Sequence, residues 1–203
     1  MLLCISGNLE NNIISYVNSN GNKLKSGQSL KILGFTFGNK PTVNEHVVSV
    51  EKKFRMRLWS LRHLKKANLS CKALLSLYQC IFRPVIEYCA CTYHPMLNLD
   101  QMARLENLQI KALKVIYGWN RSAASLMALS GLETLQERRE SQFARFAKKC
   151  SSSAVFAKWF EPSRETGHDT RNKAKFHEPR ARTERLKNSP KHAMIRLLNS
   201  ENT

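Results

Sequence analysis

The residue types that suit metal-dependent chemistry are scarce in this sequence. Its 203 residues include two aspartates, Asp100 and Asp169, and 15 acidic residues against 33 lysines and arginines. Polymerases and nucleases that use two metal ions hold them on converging carboxylates, whereas Asp100 sits at a predicted helix start and Asp169 in a polar tail. We therefore predict no catalytic residue, no metal ligand and no cofactor, and we expect the chain to hold a polyanion rather than to cut or extend one.

Basic residues crowd one predicted helix from position 51 to position 66, where Glu51 is the one acid. These residues are Lys52, Lys53, Arg55, Arg57, Arg62, Lys65 and Lys66. Positions 52, 55, 59, 62 and 66 share one helical face, so we name Lys52, Arg55, Trp59, Arg62 and Lys66 the basic row. Such a row suits sequence-independent contact with phosphates and base stacking on the tryptophan. The alternative is that Trp59 belongs to the core and the charges only solubilise the helix.

A second group of residues invites a zinc site, but its spacing argues against one. Cys89 and Cys91 are separated by one residue, and Cys80 and His94 lie farther off. Zinc sites usually pair their ligands with two to four residues between them. We therefore expect these cysteines to be buried free thiols within helices.

Composition restricts the class of partner. A hydrophobic content of 42% is enough for one core, and a net charge of +18 attracts phosphate or an anionic membrane. The sequence contains no run of about 18 uninterrupted apolar residues, which a transmembrane helix requires. We therefore expect nucleic acid as the partner and no membrane partner. Residues 1–6 lack a basic leader, and the scattered cysteines suit a reducing compartment, so we expect an intracellular protein of the nucleus or cytoplasm.

The first 40 residues are typical of a small antiparallel sheet. The β-forming residues Ile13, Ile14, Tyr16 and Val17 precede a turn dipeptide at positions 20–21, and an apolar run over 30–37 predicts the second strand. Thr42 and Glu45 then have the spacing of a capping box at the start of a long helix.

Helices are predicted over most of the remaining chain. The first spans about 43–66 with a stripe at Val47, Val50, Phe54, Leu58 and Leu61. A second helix, antiparallel to the first, begins after its cap at residue 70 and is bent at residue 84. Others run from 99 to 117, over 122–129, and from a capping box at 134 and 137 to about 150, with a last docked turn at 155–160.

The predicted fold is mainly α, with three segments. Residues 1–40 form the hairpin, 41–160 a helical bundle, and 161–203 a basic, largely irregular arm with a short terminal helix. Arg83 and Glu87, four residues apart, are expected to form an ion pair that braces the bend at Pro84.

Several strings, in this order, resemble the part of a LINE-type (non-LTR) retrotransposon reverse transcriptase that follows its catalytic centre. They are KILGFTF at 31–37, FRMRLWSLRHLKKANLS at 54–70, LYQCIFRPVIEYCACTYHP at 77–95, RLENLQIKALKVIYGW at 104–119, GLETLQERRESQFARFAKKC at 131–150, and RLKNSP with IRLLN between 185 and 199. The resemblance extends over about 170 residues. It implies that the helical bundle is similar to the thumb that clamps template and primer.

The resemblance also implies a role for three residues of the hairpin and the lack of the family's catalytic aspartates. Leu33, Gly34 and Phe35 match the family's hairpin near the primer end, the primer grip, where a glycine lets the backbone approach a sugar or phosphate closely. An alternative is that Gly34 only relieves crowding in a strand. The family's Mg²⁺-binding pair of aspartates has no counterpart here, so we expect a C-terminal fragment that does not polymerise alone.

Three functions remain open at this point. The first is non-specific binding of RNA, DNA or their hybrid by a polymerase remnant. The second is a non-enzymatic assembly part that docks onto the missing palm and fingers of a separate chain through its first 37 residues. The third is a non-functional relic.

Overall fold

The computed structural model describes residues 29–38, 42–163 and 174–201 and divides the chain into two compact units. The first unit contains the described residues up to Ile86 together with Leu99–Ser130. The second contains Glu87–Asn98 and the described residues from 131 onward. The mainly helical fold with one small two-stranded sheet confirms the coarse prediction. The three predicted domain segments divide the chain at other points and stay a prediction.

The hairpin lies closer in sequence to the long helix than predicted. Strands β1 (Ser29–Ile32) and β2 (Phe35–Gly38) are antiparallel, with Ile32 opposite Phe35. Between them Leu33 and Gly34 have φ angles of 47° and 85°, as a tight two-residue hairpin turn requires. The prediction of one strand over 30–37 is therefore wrong, because the glycine turns the chain in the middle of the apolar run. The predicted strand at 13–17 and turn at 20–21 lie outside the described residues.

Helix α1 (Asn44–Lys66) buries one face in the first unit. All five residues of the predicted stripe are buried, which confirms the periodicity. The predicted capping box is wrong, since the N-cap is Val43 and the Thr42 hydroxyl lies 3.4 Å from the Glu45 carboxylate instead. The helix therefore starts one residue later than predicted, after a buried valine that has no side-chain oxygen to cap it.

The second helical stretch is not a single α-helix. It comprises α2 (Cys71–Leu77), a π-helical turn (Tyr78–Phe82) and α3 (Arg83–Glu87). Ser70 caps α2 as predicted, by accepting a hydrogen bond from the Ala73 N–H at 3.2 Å. The Arg83 N–H reaches back five residues to the Tyr78 carbonyl, immediately before Pro84, which has no N–H to continue the ladder.

Two contacts show that α2 runs antiparallel to α1. The Lys65 ammonium lies 3.5 Å from the Cys71 sulfur near the connecting turn, and Arg57 donates to the Ile81 carbonyl at 2.7 Å farther along. The turn passes through Asn68 at φ 60°, a conformation that asparagine tolerates well. The predicted antiparallel pair is confirmed.

Helix α5 completes the first unit, together with α6. Helices α4 (Ala90–Tyr93), α5 (Leu99–Tyr117) and α6 (Ala123–Ser130) follow in the chain, and α4 belongs to the second unit. Helix α5 packs on α1 and ends at Gly118, which has a φ of 111°. The predicted boundaries of α5 and the short helix after it are confirmed.

The second unit is built on α7 (Leu135–Ser151), whose predicted capping box is present. The Thr134 hydroxyl accepts from the Glu137 N–H, and the Glu137 carboxylate accepts from the Thr134 N–H. Glu87 accepts hydrogen bonds from Arg138 and Gln142 of this helix, and its predicted pairing with Arg83 stays a prediction. A 3₁₀ turn (Ala154–Trp159) follows α7, as predicted for the last docked turn.

The C-terminal residues join the core of this unit. Helices α8 (Glu184–Lys187) and α9 (Pro190–Ser200) end the described chain. The core contains Phe143, Ala147, Cys150, Phe160, Met194, Ile195 and Leu198. The part of the arm that was predicted to be solvated is anchored at Phe176, which packs edge-on against Phe160 and bonds through its backbone to the Asn199 amide. One aromatic side chain therefore fixes a segment whose composition is otherwise that of an exposed arm.

The hairpin lies against α1 through a stacked pair of rings. Phe35 and His46 stack with their centroids 4.2 Å apart, and both are buried. His46 Nδ1 accepts from the Thr36 N–H at 3.4 Å, which requires that this nitrogen carry no proton. Burial, with Lys53 nearby, lowers the pKa of His46 from 6.5 to about 4. The neutral imidazole is thus the form that holds β2 on α1.

This geometry predicts a loss of stability in mild acid. The unfolded chain binds a proton at His46 below about pH 6.5, whereas the folded chain binds it only below about pH 4. The contribution of neutral His46 is therefore complete above pH 6.5 and is lost progressively between these two values. We expect urea unfolding of the first unit at about pH 7 and about pH 5 to show the decline.

A pair of histidine variants isolates the effect. His46→Phe keeps a stacking ring but removes the titrating group, so its urea midpoint should change less with pH than that of the wild type. His63→Phe changes an exposed histidine on the same helix and should keep the wild-type pH dependence. If His46→Phe retains the full dependence, the assignment to His46 is wrong.

Candidate nucleic-acid interface

Helix α1 presents the basic row on the side opposite its buried stripe. Lys52, Arg55, Trp59, Arg62 and Lys66 are all exposed, while the apolar stripe is buried. The Trp59 side chain is 62% exposed, so the alternative that placed it in the core is wrong. The row keeps one helical face over 14 residues, and the helical rise of 1.5 Å per residue makes that about 21 Å.

Trp59 is held in place by its own helix. Its ring lies against the ring of His63, with centroids 3.8 Å apart and planes at 43°. His63 Nδ1 donates to the Trp59 carbonyl at 3.0 Å, which fixes the imidazole beneath the indole. The indole is thus supported on one side and open to solvent over much of its surface.

The other three predicted bases of α1 have contacts within the first unit. Lys53 is half-buried and lies close enough to His46 to disfavour its protonation. Arg57 donates to the Ile81 carbonyl, and Lys65 to the Cys71 sulfur. The predicted set of seven bases therefore divides into an outward row of four cations and three cations that also connect α1 to its neighbours.

Glu51, the acid of α1 that lies nearest the basic row, does not neutralise the row. Glu51 accepts from Arg104 Nε at 2.8 Å and from Arg104 Nη2 at 2.9 Å, a two-pronged pairing with α5. This hydrogen bonding holds the pKa of Glu51 below its usual range. Arg55 lies 3.9 Å from the same carboxylate with a side chain that is 69% exposed, so its guanidinium stays available to a ligand. No carboxylate in the described ranges forms an ion pair with Lys52, Arg62 or Lys66.

The residues predicted to resemble a primer grip differ in accessibility. Leu33 is 88% exposed at the tip of the turn, and Gly34 is partly exposed beside it. Phe35 is buried in the stack with His46, so it supports the tip from below. Its predicted role in direct contact with a primer stays a prediction, as do those of Leu33 and Gly34.

The cysteines and His94 have separate environments. Cys80 is exposed, which contradicts the prediction of a buried thiol, because it lies on the outer side of the turn between the buried Tyr78 and Phe82. Cys91 donates to the Gln142 carbonyl, and burial raises the pKa of its thiol. His94 packs against Phe143, where burial and the charge of Arg139 lower its pKa. Within the described part of the chain no three such residues are grouped to hold a metal ion.

Sequence reasoning missed Arg104 as part of the interface. Arg104 lies four residues after Asp100, a spacing that favours an ion pair on a helix, and the two side chains approach to 3.7 Å. Its stronger partner is Glu51, 53 residues earlier in the chain. That pairing depends on how α1 and α5 are aligned, which local spacing does not reveal.

No helix in the described part of the chain is long and apolar enough to cross a membrane.

Comparison with known proteins adds one partial similarity. The chain is 27% identical over 106 residues to the RNA-directed DNA polymerase from mobile element jockey of Drosophila melanogaster. The match covers 50% of this chain and 11% of that polymerase, so the chain spans about a tenth of the relative's length. No protein-family model and no solved structure matches. The similarity supports an origin related to retrotransposon reverse transcriptases.

Proposed function

We propose that this chain is a reverse-transcriptase-related fragment that binds RNA, DNA or their hybrid without sequence preference, as a thumb-like clamp. The observation that carries the proposal is the basic row on α1, with exposed cations on both sides of the exposed Trp59. Support also comes from the similarity to the jockey RNA-directed DNA polymerase. The function suits a location in the nucleus or cytoplasm, where nucleic acid is present.

The dimensions of the row fit a nucleic-acid backbone. A face about 21 Å long is comparable to about six base steps of one duplex strand, at roughly 3.4 Å each. Lysine and arginine contacts with phosphates carry no sequence information. A flat indole can stack on any unpaired base, because every base has a π-face. These contacts favour tolerance of sequence over recognition of a particular site.

We propose further that the chain does not polymerise nucleotides by itself. The described aspartate, Asp100, has a side chain that is 75% exposed and lies 3.7 Å from Arg104. One exposed, arginine-paired carboxylate does not fit the converging ligands that a pair of Mg²⁺ ions requires. The nucleic acid would be held here, and nucleotide transfer would need carboxylates that lie outside the described residues or on a separate chain.

A second candidate function is docking onto the palm and fingers of such a separate chain. The tip of the hairpin favours this candidate, because the exposed fractions of Ile32 and Leu33 are 49% and 88%. A two-stranded sheet also has edges whose backbone groups can pair with another strand. This function is compatible with the first, since the hairpin tip and the basic row involve different residues.

The first test of nucleic-acid binding is its salt dependence. The triple variant Lys52→Gln, Arg55→Gln and Arg62→Gln should bind a duplex more weakly, and the slope of log K against log salt should decrease by about 0.7 to 0.9 for each phosphate that the variant no longer neutralises. Fluorescence anisotropy with a labelled RNA–DNA hybrid measures both quantities.

The matched control removes the same charge from the second unit. Arg145, Lys149 and Lys158 are exposed there, so the triple variant with glutamine at these positions should keep the wild-type slope. Equal slopes for the α1 variant and the wild type would reject the basic row as the binding face.

The second test concerns the indole. Trp59→Ala should weaken binding of a single strand, since removal of the platform for one stacked base costs about 1 to 3 kcal/mol, and it should leave the salt slope unchanged because every phosphate-binding cation is still present. Met56→Ala is the control, as its side chain is 69% exposed one turn earlier on α1. Single-strand affinity that is the same for Trp59→Ala and the wild type would exclude stacking at this position.

A further inference from the structure

Acidic and basic residues are separated along the first unit. Its described acids are Glu45, Glu51, Asp100 and Glu106, all in the N-terminal halves of α1 and α5. Helices α1 and α5 run in the same direction, because Glu51 pairs with Arg104 near their beginnings and their ends meet near Cys71. The four acids therefore gather toward one end of the unit.

Basic residues gather at the opposite end. No acid occurs between residues 52 and 86 or between 107 and 132. Six cations lie in the final turns of α1 and α5, at the start of α2 and in the loop after α5. We name them the basic end: Arg62, Lys65, Lys66, Lys72, Lys114 and Arg121. Six cations that lie within stretches of sequence free of acids form a strong local field, which attracts a polyanion.

Contacts among the three elements bring this end together. The Lys65 ammonium lies 3.5 Å from the Cys71 sulfur, and the Cys71 thiol donates to the Ile116 carbonyl at 3.4 Å. The end of α1, the start of α2 and the last turn of α5 therefore meet at Cys71. Residues that are about 50 positions apart in sequence thus contribute to one surface.

The loop after α5 adds an aromatic platform to this surface. Gly118, at φ 111°, turns the chain in a conformation that an L side chain rarely adopts. The Arg121 guanidinium then donates back to the Tyr117 carbonyl at 3.2 Å. Trp119 is 57% exposed, and the Lys114 ammonium lies 5.9 Å from the centre of its ring. The indole is therefore braced by a cation while much of its surface remains open.

We propose that the basic end of the first unit binds an unpaired stretch of DNA or RNA, with a base stacked on Trp119. The inference rests on the proposed function, which it extends from the side of α1 to the end of the bundle. An unpaired strand is the fitting ligand because stacking on an indole requires a base face that a continuous duplex does not offer. The surrounding cations neutralise the phosphates on either side of that base.

Variants of Trp119 test this inference against two ligands. With labelled oligothymidylate, Trp119→Ala should reduce affinity by about tenfold, within the range for removal of one stacking platform, while affinity for a blunt duplex should stay within about twofold. Trp119→Phe should recover much of the single-strand affinity, because a phenyl ring also stacks. Leu99→Ala is the control, since Leu99 is 84% exposed at the other end of α5, and it should bind both ligands as the wild type does.

A second variant tests the site without removal of a large side chain. Lys114→Gln with Arg121→Gln should weaken single-strand binding and reduce its salt slope by about 0.7 for each phosphate that these cations neutralise in the wild type. Circular dichroism confirms that each variant is folded as the wild type is.

Failure of this inference differs from failure of the proposed function. If Trp119→Ala and the Lys114/Arg121 variant bind oligothymidylate as the wild type does, while the α1 triple variant still lowers the duplex salt slope, the surface around Trp119 does not bind the strand and the proposed function stands. If Trp119→Ala weakens both ligands equally, preference for an unpaired strand is rejected. A wild-type protein that binds neither ligand overturns both proposals.

Discussion

The pairing of Glu51 with Arg104 is the interaction on which the charge pattern of the first unit depends. It joins α1 to α5 through two short hydrogen bonds, with the Glu51 side chain 12% exposed. A carboxylate that is largely removed from water is stabilised by a charged hydrogen-bond donor, since an unpaired buried charge is unfavourable. Arg104 supplies that partner from another helix, while Arg55 of the basic row lies 3.9 Å from the same carboxylate and stays largely exposed. Together with the contacts of Cys71 at the other ends of the two helices, the pair shows that α1 and α5 run in the same direction.

The parallel alignment of α1 and α5 brings basic segments that are distant in sequence onto one surface of the first unit. A stretch without acids is by itself only a basic segment, and the helices of the first unit contain two long stretches of this kind, within 52–86 and 107–132. Because α1 and α5 are parallel and α2 returns along α1 in the opposite direction, both stretches place cations at the same end of the unit. The resulting field is stronger than that of either helix alone, since interactions within about 8 Å are only partly screened at physiological ionic strength.

Much of the helical structure follows from local rules in the sequence. The stripe of α1, the Ser70 cap and the box at Thr134 and Glu137 involve residues a few positions apart, and all three occur as predicted. The basic row was also predictable as an exposed face, because burial of the stripe determines which side remains outside. Whether that face binds nucleic acid is not decided by helix geometry, so the site itself stays a prediction.

The errors involve burial or pairing over longer distances. The hairpin turn was missed because Leu33 adopts a positive φ. A bulky apolar residue rarely takes that conformation, so its side-chain type predicts a strand rather than a turn. The anchoring of Phe176 was missed because one aromatic residue stands in a charged segment and its partner, Phe160, lies 16 positions earlier. Arg104 and His46 were missed for the same reason, since their partners belong to other elements.

The exposure of Trp59 bears most directly on what α1 does. Charges alone account for solubility, and a solubilising face has no need of an indole among its cations. Burial of an indole removes 150 to 250 Å² from water, at roughly 25 cal/mol per Å², yet Trp59 keeps 62% of its surface exposed. A stacked base would cover that apolar surface while the cations on either side neutralise its phosphates. One ligand would satisfy both features, and this is the argument for proposing a nucleic-acid contact rather than a solvated face.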